Sequence, residues 1–221
     1  MWLYTRVNAL VAPHDVVLNI GCGRGAAADD PAPYRQTLQD LKQRCASVVG
    51  LDLGDHGRAN PLIHEFRRIV DPSRWPVATA SIDLAYADWV VEHVRAPGEF
   101  FSECARVIRP GGYLCIRTPN VLGYPYLVAK IVPNRLHGWL SSVAQGGAVY
   151  RDDMFPTVYA ANTKTRLASE LRRAGFDPCV LRYQPEPPYM AVSTVSYRIA
   201  SLLLPLFPGP LKLQLMAFAR R

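Results

Sequence analysis

The sequence predicts a doubly wound α/β fold, because short apolar runs alternate with amphipathic helical segments along the first half of the chain. The first apolar run, at 16–20, leads into three glycines at alternate positions, Gly21, Gly23 and Gly25, and the second run ends in Asp52. Glycines let a backbone pass close to a ligand, and an acid after a second strand can hold a ribose diol. Together these features predict a site for an adenosine-containing cofactor at the carboxyl edge of the sheet.

Hydrophobic periodicity and turn residues place the remaining elements. The predicted strands are 16–20, 47–53, 64–70, 81–87, 113–118, 179–183 and 213–219. The predicted helices are about 2–10, 34–44, 97–108, 163–174 and 192–204. We expect the segment 109–112, Arg-Pro-Gly-Gly, to terminate the third helix. The alternation favours a mostly parallel sheet with helices on both faces.

Composition favours a globular protein. The 221 residues are 49% hydrophobic and 19% charged. The net charge of +7 fits a soluble basic protein, or one that meets an anionic acceptor or an anionic membrane surface. No dense basic run is interleaved with aromatics, so a nucleic-acid groove is not expected.

The cysteine pattern indicates a reducing compartment. Five cysteines are scattered without a Cys-x-x-Cys pair, which disfavours a disulfide framework or a zinc site. The start lacks the basic and apolar regions of a signal peptide, and no apolar stretch reaches the ~20 residues of a membrane span. We therefore expect a cytoplasmic protein.

Later segments make the glycine motif specific. The segments 71–77, 81–94 and 106–114 follow 17–25 and 51–52 in order over about residues 14–120. Together they resemble the motifs of class I S-adenosylmethionine-dependent methyltransferases, of the group often labelled methyltransferase type 11. The resemblance implies a Rossmann-like, mostly parallel seven-stranded sheet whose last strand is antiparallel.

The resemblance also implies an organisation and a set of cofactor-binding residues. We expect one methyltransferase domain over 1–221, with a cofactor-binding core at about 14–120 and an acceptor cap with the C-terminal strands at about 121–210. The implied cofactor-binding residues are Asn19, Gly21, Cys22, Gly23, Gly25, Asp52, Leu53, Asp71, Pro72 and Asp88.

Each implied position has an expected role. The glycines would pass under the methionine part of the cofactor, and Asp52 would accept hydrogen bonds from both ribose hydroxyls. Asp71 would meet the adenine amino group, with Pro72 supplying a backbone contact, although a turn-capping role for Asp71 stays open. Ala87 and Asp88 would lie near the sulfonium and the acceptor.

One position departs from the family pattern. The family usually carries an acid where this chain has Asn19, so the amide keeps hydrogen bonding but loses a charge that complements the cationic end of the cofactor. We hypothesise that binding survives, because the other motifs are intact.

His93 is the candidate catalytic residue. It follows the fourth strand, where a neutral imidazole could take a proton from a hydroxyl acceptor, although it could instead shape the pocket or bond the backbone. Asp88, Glu92 and His93 could share a helix face as metal ligands, but zinc without thiolates is disfavoured and magnesium needs more oxygens. No metal is expected.

The second half of the chain offers weaker signals. Asn120, His137, Tyr150 and Tyr159 fall in the segment that would cover the acceptor, where they would orient substrate or simply decorate a lid. The apolar segment 192–207 reads either as an interfacial helix in peripheral contact with a membrane, or as a helix packed on the sheet or at a dimer contact.

The function these features favour is methyl transfer from S-adenosylmethionine to an oxygen or nitrogen of a small-molecule or glycan-like acceptor. A non-catalytic binding module that keeps the fold is the alternative, and Asn19 favours it. A nicotinamide-dependent oxidoreductase is a weaker idea, because the GxGxG spacing and the Arg-Pro-Gly-Gly segment argue against it.

Overall fold

The computed structural model describes residues 1–123, 156–185, 193–206 and 208–221. Its strands are β1 (Val16–Ile20), β2 (Ser47–Asp52), β3 (Glu65–Arg68), β4 (Ile82–Asp88), β5 (Ile108–Pro119), β6 (Asp177–Tyr183) and β7 (Gln214–Arg220). They form one sheet in the order β3-β2-β1-β4-β5-β7-β6. Strand β7 is antiparallel to both neighbours, and the other pairs are parallel. The predicted fold class, with its antiparallel last strand, is confirmed.

The described helices lie on both faces of this sheet. They are α1 (Trp2–Leu10), α2 (Pro33–Gln39), α3 (Pro97–Val107), α4 (Lys164–Arg173) and α5 (Thr194–Leu203). On one face, Phe101 of α3 and Leu167 of α4 join a core cluster with Leu18. On the other face, Leu3 of α1 and Leu38 of α2 pack with Val17. Successive residues of β1 thus feed opposite cores, as the alternation of a strand requires.

Helix boundaries follow local hydrogen bonding. The predicted helix 34–44 is shorter, because α2 ends at Gln39 and the Asp40 carboxylate accepts the Lys42 N–H in a turn. Thr163 caps α4 by accepting the Arg166 N–H, and Gly175 follows at φ +89°. Both of these helix signals were predicted.

The segment 109–112 was predicted wrongly. Helix α3 ends at Val107, and Arg-Pro-Gly-Gly lies inside the irregular start of β5. Gly111 has φ +85°, and a Cβ on Gly112 would lie 2.6 Å from the Asp83 carbonyl oxygen. These glycines therefore let β5 run close against β4 rather than stop a helix.

The C-terminal half is only partly within the described residues. The predicted helix 192–204 is observed as α5, followed by a 3₁₀ turn at Leu204–Leu206; Val192 lies outside the described residues. His137 and Tyr150 also lie outside them. No helix among the described residues is long and apolar enough to cross a membrane. The division into a core and an acceptor cap stays a prediction.

Candidate active site

The glycine loop after β1 adopts a backbone that favours glycine at three positions. Gly21, Gly23 and Gly25 have φ of +69°, +49° and +78°. A Cβ on Gly21 would lie 2.5 Å from Val90 Cγ2, and one on Gly25 would lie 2.2 Å from Asn60 Oδ1. A Cβ on Gly23 would meet nothing within 4 Å. The outer glycines are needed for packing, whereas the middle one borders open space where a ligand can approach.

Asp52, the last residue of β2, holds this loop from the neighbouring strand. Its Oδ2 accepts the Gly23 N–H at 2.9 Å, and its Oδ1 accepts the Gly54 N–H at 3.1 Å. The Leu51 carbonyl accepts the Gly21 N–H at 2.7 Å. A carboxylate has about four acceptor sites, so two bonds leave capacity for a diol. The glycine loop and Asp52, which were predicted for the same site, are therefore in direct contact.

Asn60 braces the same loop, and the sequence did not single it out. Its Nδ2 donates to the carbonyl oxygens of Cys22 at 2.8 Å and Gly23 at 3.2 Å, while its Oδ1 accepts the Leu62 N–H. The side chain is buried. An Asn-Pro pair normally signals only a turn, so nothing in the sequence distinguished this asparagine from a loop residue.

Two further predicted residues flank the Asp52 carboxylate. Burial, and then the charge of Asp52, raise the pKa of the Cys22 thiol to about 12, which keeps the thiol neutral. Cys22 packs tightly, since a Cβ on Gly50 or Gly57 would lie 2.9 Å from its sulfur. Leu53 follows Asp52 and is 47% exposed. Cys22 is therefore a filler under the loop, and Leu53 an apolar group at its rim.

Asp71 and Pro72 occupy an exposed turn just past β3. The Ile69 N–H donates to the Asp52 carbonyl at 2.7 Å, which brings this segment past the end of β2. Asp71 Oδ1 accepts from the Ser73 hydroxyl at 2.7 Å and the Ser73 N–H at 2.8 Å. These bonds lower the pKa of Asp71. The observed contacts match the turn-capping alternative, and the adenine contact stays a prediction.

Asn19 and Asp88 lie on one face of the sheet. Asn19 is half-buried between Gly50 and Tyr86 in the register of β1. Asp88 is two residues beyond Tyr86 on β4, so it projects from the same face. The structure thus puts a carboxylate one strand away from the position where this chain has an amide.

Arg117 binds that carboxylate and was missed in the sequence. Its Nε and Nη2 donate to the two oxygens of Asp88, each at 2.6 Å, and the Tyr4 hydroxyl donates to Asp88 Oδ2 at 3.0 Å. Burial lowers the pKa of Arg117, but its bonds to Asp88 outweigh this and the pKa is raised overall. The pairing depends on the register of β4 with β5, which the sequence does not reveal.

The turn after β4 contains a residue with a strained backbone, Trp89. Trp89 has φ +60°, which is strained for a bulky residue, and the Arg117 guanidinium carbon lies 5.6 Å from the centre of its ring. The Trp89 N–H donates to the Arg117 carbonyl at 3.0 Å. Such strain clusters at ligand-binding sites.

His93 lies in a 3₁₀ turn, Val91–His93, and not in the helix the sequence suggested. Asp88 belongs to β4, so the helical spacing that would have joined it to Glu92 is not formed. The described residues contain no group of three or more His, Cys, Asp or Glu side chains suited to a metal ion. His93 Nδ1 lies 3.2 Å from the Pro156 carbonyl, which only accepts, so Nδ1 carries the proton.

A buried polar chain lies beneath His93. Thr118 Oγ1 donates to Glu92 Oε2 at 3.0 Å, and Asn162 Nδ2 donates to Thr118 Oγ1 at 2.6 Å. Burial raises the pKa of Glu92. The Glu92 carbonyl accepts the Tyr159 N–H at 3.0 Å, which holds the segment at Tyr159 beside the turn that carries His93. The network positions the turn and is not itself exposed to a ligand.

Asn120 has a structural role. It is fully buried, and its amide nitrogen donates to the carbonyl oxygens of Pro210 at 2.9 Å and Lys212 at 2.7 Å. Its side chain therefore ties the end of β5 to the connection before β7, and its predicted place in the acceptor lid receives no support from these contacts.

Comparison with known proteins identifies the family. Residues 18–116 match the model of the family described as "Methyltransferase domain". Over these residues the chain is similar to class I, S-adenosylmethionine-dependent methyltransferases. The predicted resemblance to this family is confirmed over this segment.

Individual relatives align with only part of this chain. A Mycolicibacterium smegmatis protein named "Probable S-adenosylmethionine-dependent methyltransferase" is 34% identical over 53% of this chain and 43% of its own length. A Pseudomonas fluorescens "Ubiquinone biosynthesis O-methyltransferase" is 26% identical over 62% of this chain and 60% of its own. The chain thus spans about half the length of these relatives.

A solved structure extends the likeness to the whole methyltransferase fold. The S-adenosylmethionine-dependent methyltransferase from Mesorhizobium loti superposes with a TM-score of 0.59 at 18% identity, covering 100% of this chain and 97% of the other. The strands beyond the matched domain therefore follow the same architecture.

Proposed function

We propose that this chain binds S-adenosylmethionine at the carboxyl ends of β1 and β2 and transfers its methyl group to an oxygen or nitrogen of a small-molecule acceptor. One observation carries the proposal: the Asp52 carboxylate bonds to Gly23, the one glycine of the loop whose Cβ position is open. An acceptor-rich carboxylate beside an open backbone suits a ribose next to an extended chain.

The residues present fit this cofactor. The Asp52 carboxylate would accept the ribose hydroxyls, and Leu53 would offer apolar surface beside them. Asn19 and Asp88 would face the cationic methionine end, and the turn at Asp71 and Pro72 would line the adenine. Of these assignments, that of Asp71 has the least support, because its carboxylate already caps its own turn.

When bound, S-adenosylmethionine supplies a methyl group on a sulfonium, and transfer to an acceptor lone pair breaks the C–S bond, leaving both electrons on the sulfur of S-adenosylhomocysteine. The chain's task is then mainly to orient the acceptor and exclude water. His93 would take the acceptor's proton on Nε2, since Nδ1 carries a proton directed at Pro156.

Oxygen is the favoured acceptor atom. The relatives named as ubiquinone biosynthesis O-methyltransferases support O-methylation, at 25–29% identity. The net charge of +7 favours an acceptor with an anionic group, and glycan-like acceptors stay within the proposal.

Calorimetric titration with S-adenosylmethionine, S-adenosylhomocysteine and NAD tests the cofactor. We expect binding of the first two only, and a loss of about tenfold or more in Asp52→Ala. Asp55→Ala is the matched control, because Asp55 lies three residues on and forms only exposed pairs with Arg58 and Arg68. Binding of NAD alone, or equal affinity in Asp52→Ala and wild type, would contradict the proposal.

A non-catalytic binding module remains the second candidate, because Asn19 removes a charge from the cofactor site. Turnover separates the two. Release of S-adenosylhomocysteine with phenolic, carboxylate or sugar acceptors, reduced in His93→Gln with cofactor affinity retained, would support the enzyme. Tight cofactor binding with no methylated product from any of these acceptors would favour the non-catalytic binding module.

A further inference from the structure

Helix α5 and the turn after it present large apolar side chains to solvent. Val195, Ile199 and Leu202 are 67%, 52% and 74% exposed, and their spacing of four and three residues puts them on one helix face. Leu203 beside them is 53% exposed, and Leu206 in the following turn is 77% exposed. We call these five residues the α5 stripe.

The other side of this segment is anchored to the protein. Ala200 and Leu204 are each only 4% exposed. The helix is therefore seated on the fold with its apolar stripe turned outward, the reverse of an ordinary surface helix. A contiguous apolar surface of this kind on a basic protein indicates an interaction site.

The surroundings of the stripe are cationic. After Glu186 the sequence contains no acidic residue at all, and α5 itself carries the exposed Arg198. A cleft of about 510 Å³ adjoins α5, where Ser201 and Leu204 line it together with Arg182 and Lys212. Among the described residues, the lining of this cleft includes two cations and no acid.

Partly exposed apolar side chains also line the cleft beside α5. Trp2 and Leu181 line it and are 48% and 41% exposed, and the Trp2 ring lies 5.1 Å from the ring of Tyr183. Tryptophan and tyrosine have apolar rings with a polar edge, which suits a boundary between water and hydrocarbon.

We propose that α5 docks this protein on the surface of an anionic lipid bilayer. The α5 stripe enters the boundary between headgroups and acyl chains, while Arg198 and Lys212 meet the lipid phosphates. Charge decides between this occupant and a second copy of the chain, because two cationic faces brought together would repel. The proposal does not depend on methyl transfer, and its test needs no activity.

Vesicle flotation of the full chain tests the docking. We expect the protein to float with vesicles of phosphatidylcholine and phosphatidylglycerol, less with phosphatidylcholine alone, and less as salt rises. Leu202→Ser should lower the partition by roughly tenfold, and Arg198→Gln by about fivefold. Val70→Ser and Arg172→Gln are the controls, since Val70 is 86% exposed at the far edge of the sheet and Arg172 is exposed on α4.

Three results would overturn the docking. The first is that the wild type floats with neither kind of vesicle. The second is that Leu202→Ser lowers the vesicle-bound fraction no more than Val70→Ser does. The third is that sedimentation reveals a dimer that Leu202→Glu converts to a monomer. The last result would assign the stripe to self-association. Thermal unfolding of each variant checks that the exposed substitutions leave the fold intact.

Discussion

Asp88 and Arg117 face each other at the carboxyl ends of β4 and β5 and share two hydrogen bonds of 2.6 Å. Their side chains are only 14% and 18% exposed. The Tyr4 hydroxyl completes the cluster, so the first helix of the chain is joined to the edge of the sheet where the cofactor is proposed to bind.

Removing one partner of this ion pair should be costly. We expect Arg117→Met to lower the free energy of unfolding by about 3 kcal/mol, because a mostly buried carboxylate loses its counter-charge. Tyr4→Phe should cost about 1 kcal/mol. Urea unfolding measures both. The exposed pair of Arg68 with Asp55 is the control, and an Arg117→Met cost no larger than that of Arg68→Met would contradict the prediction.

Alanine at two glycines of the loop should separate binding from stability. Gly23→Ala places its methyl group in open space, so we expect only about 1 kcal/mol of backbone strain but a marked loss of S-adenosylhomocysteine binding. Gly25→Ala must displace Asn60 and its bonds to the loop, so about 2–4 kcal/mol of stability should be lost. Calorimetry and thermal unfolding report the two effects, and equal effects in both variants would count against the proposed ligand position.

Restoring an acid at position 19 should strengthen cofactor binding. Charge-assisted hydrogen bonds are about twice as strong as neutral ones, so Asn19→Asp should bind S-adenosylmethionine roughly fivefold to tenfold more tightly. Asn19→Ala should bind more weakly than wild type. An Asn19→Asp variant with unchanged affinity would mean that another carboxylate on this face, such as Asp88, already matches the charge.

The buried Glu92 should make stability fall as pH rises. Burial raises the pKa of Glu92 above its ordinary value of 4.5, so the folded chain keeps a proton that the unfolded chain has lost. Below pH 4.5 both states are protonated and the penalty is absent. Glu92→Gln keeps an oxygen for Thr118 and removes the titration, so its stability relative to wild type should rise across the window above pH 4.5. A pH-independent difference in unfolding free energy would refute this.

Thiol labelling should distinguish the cysteines. Cys22 and Cys115 are buried, and burial raises the pKa of each to about 12, so neither should react with iodoacetamide in the folded protein near neutral pH. The exposed Cys179 should be labelled first. Mass spectrometry of peptides locates the label, and early modification of Cys22 would show that the loop opens more readily than its hydrogen bonds indicate.

Local patterns were enough to predict the sheet and the glycine loop. The run before Gly21 and the acid at Asp52 stand at strand ends that periodicity alone reveals, and the family motifs supplied their order. The contacts of Arg117 and Asn60 were missed because they depend on strand register and on a loop that folds back over 37 residues. The prediction for Gly111 and Gly112 was wrong for a related reason. Glycines that end a helix and glycines at the irregular start of a strand look alike in sequence.

Strand β7 lies between β5 and β6 although it follows both in the chain. As the polypeptide is synthesised, the edge of β5 has no partner from residue 119 until residue 214 is made. At about 5–20 residues per second, that interval lasts roughly 5–20 seconds. Strand β6 also lacks its sheet neighbour until then, because it pairs with β7. The nascent chain therefore carries an open, apolar sheet edge for seconds, and its yield on expression should depend on how well that edge is shielded until β7 inserts.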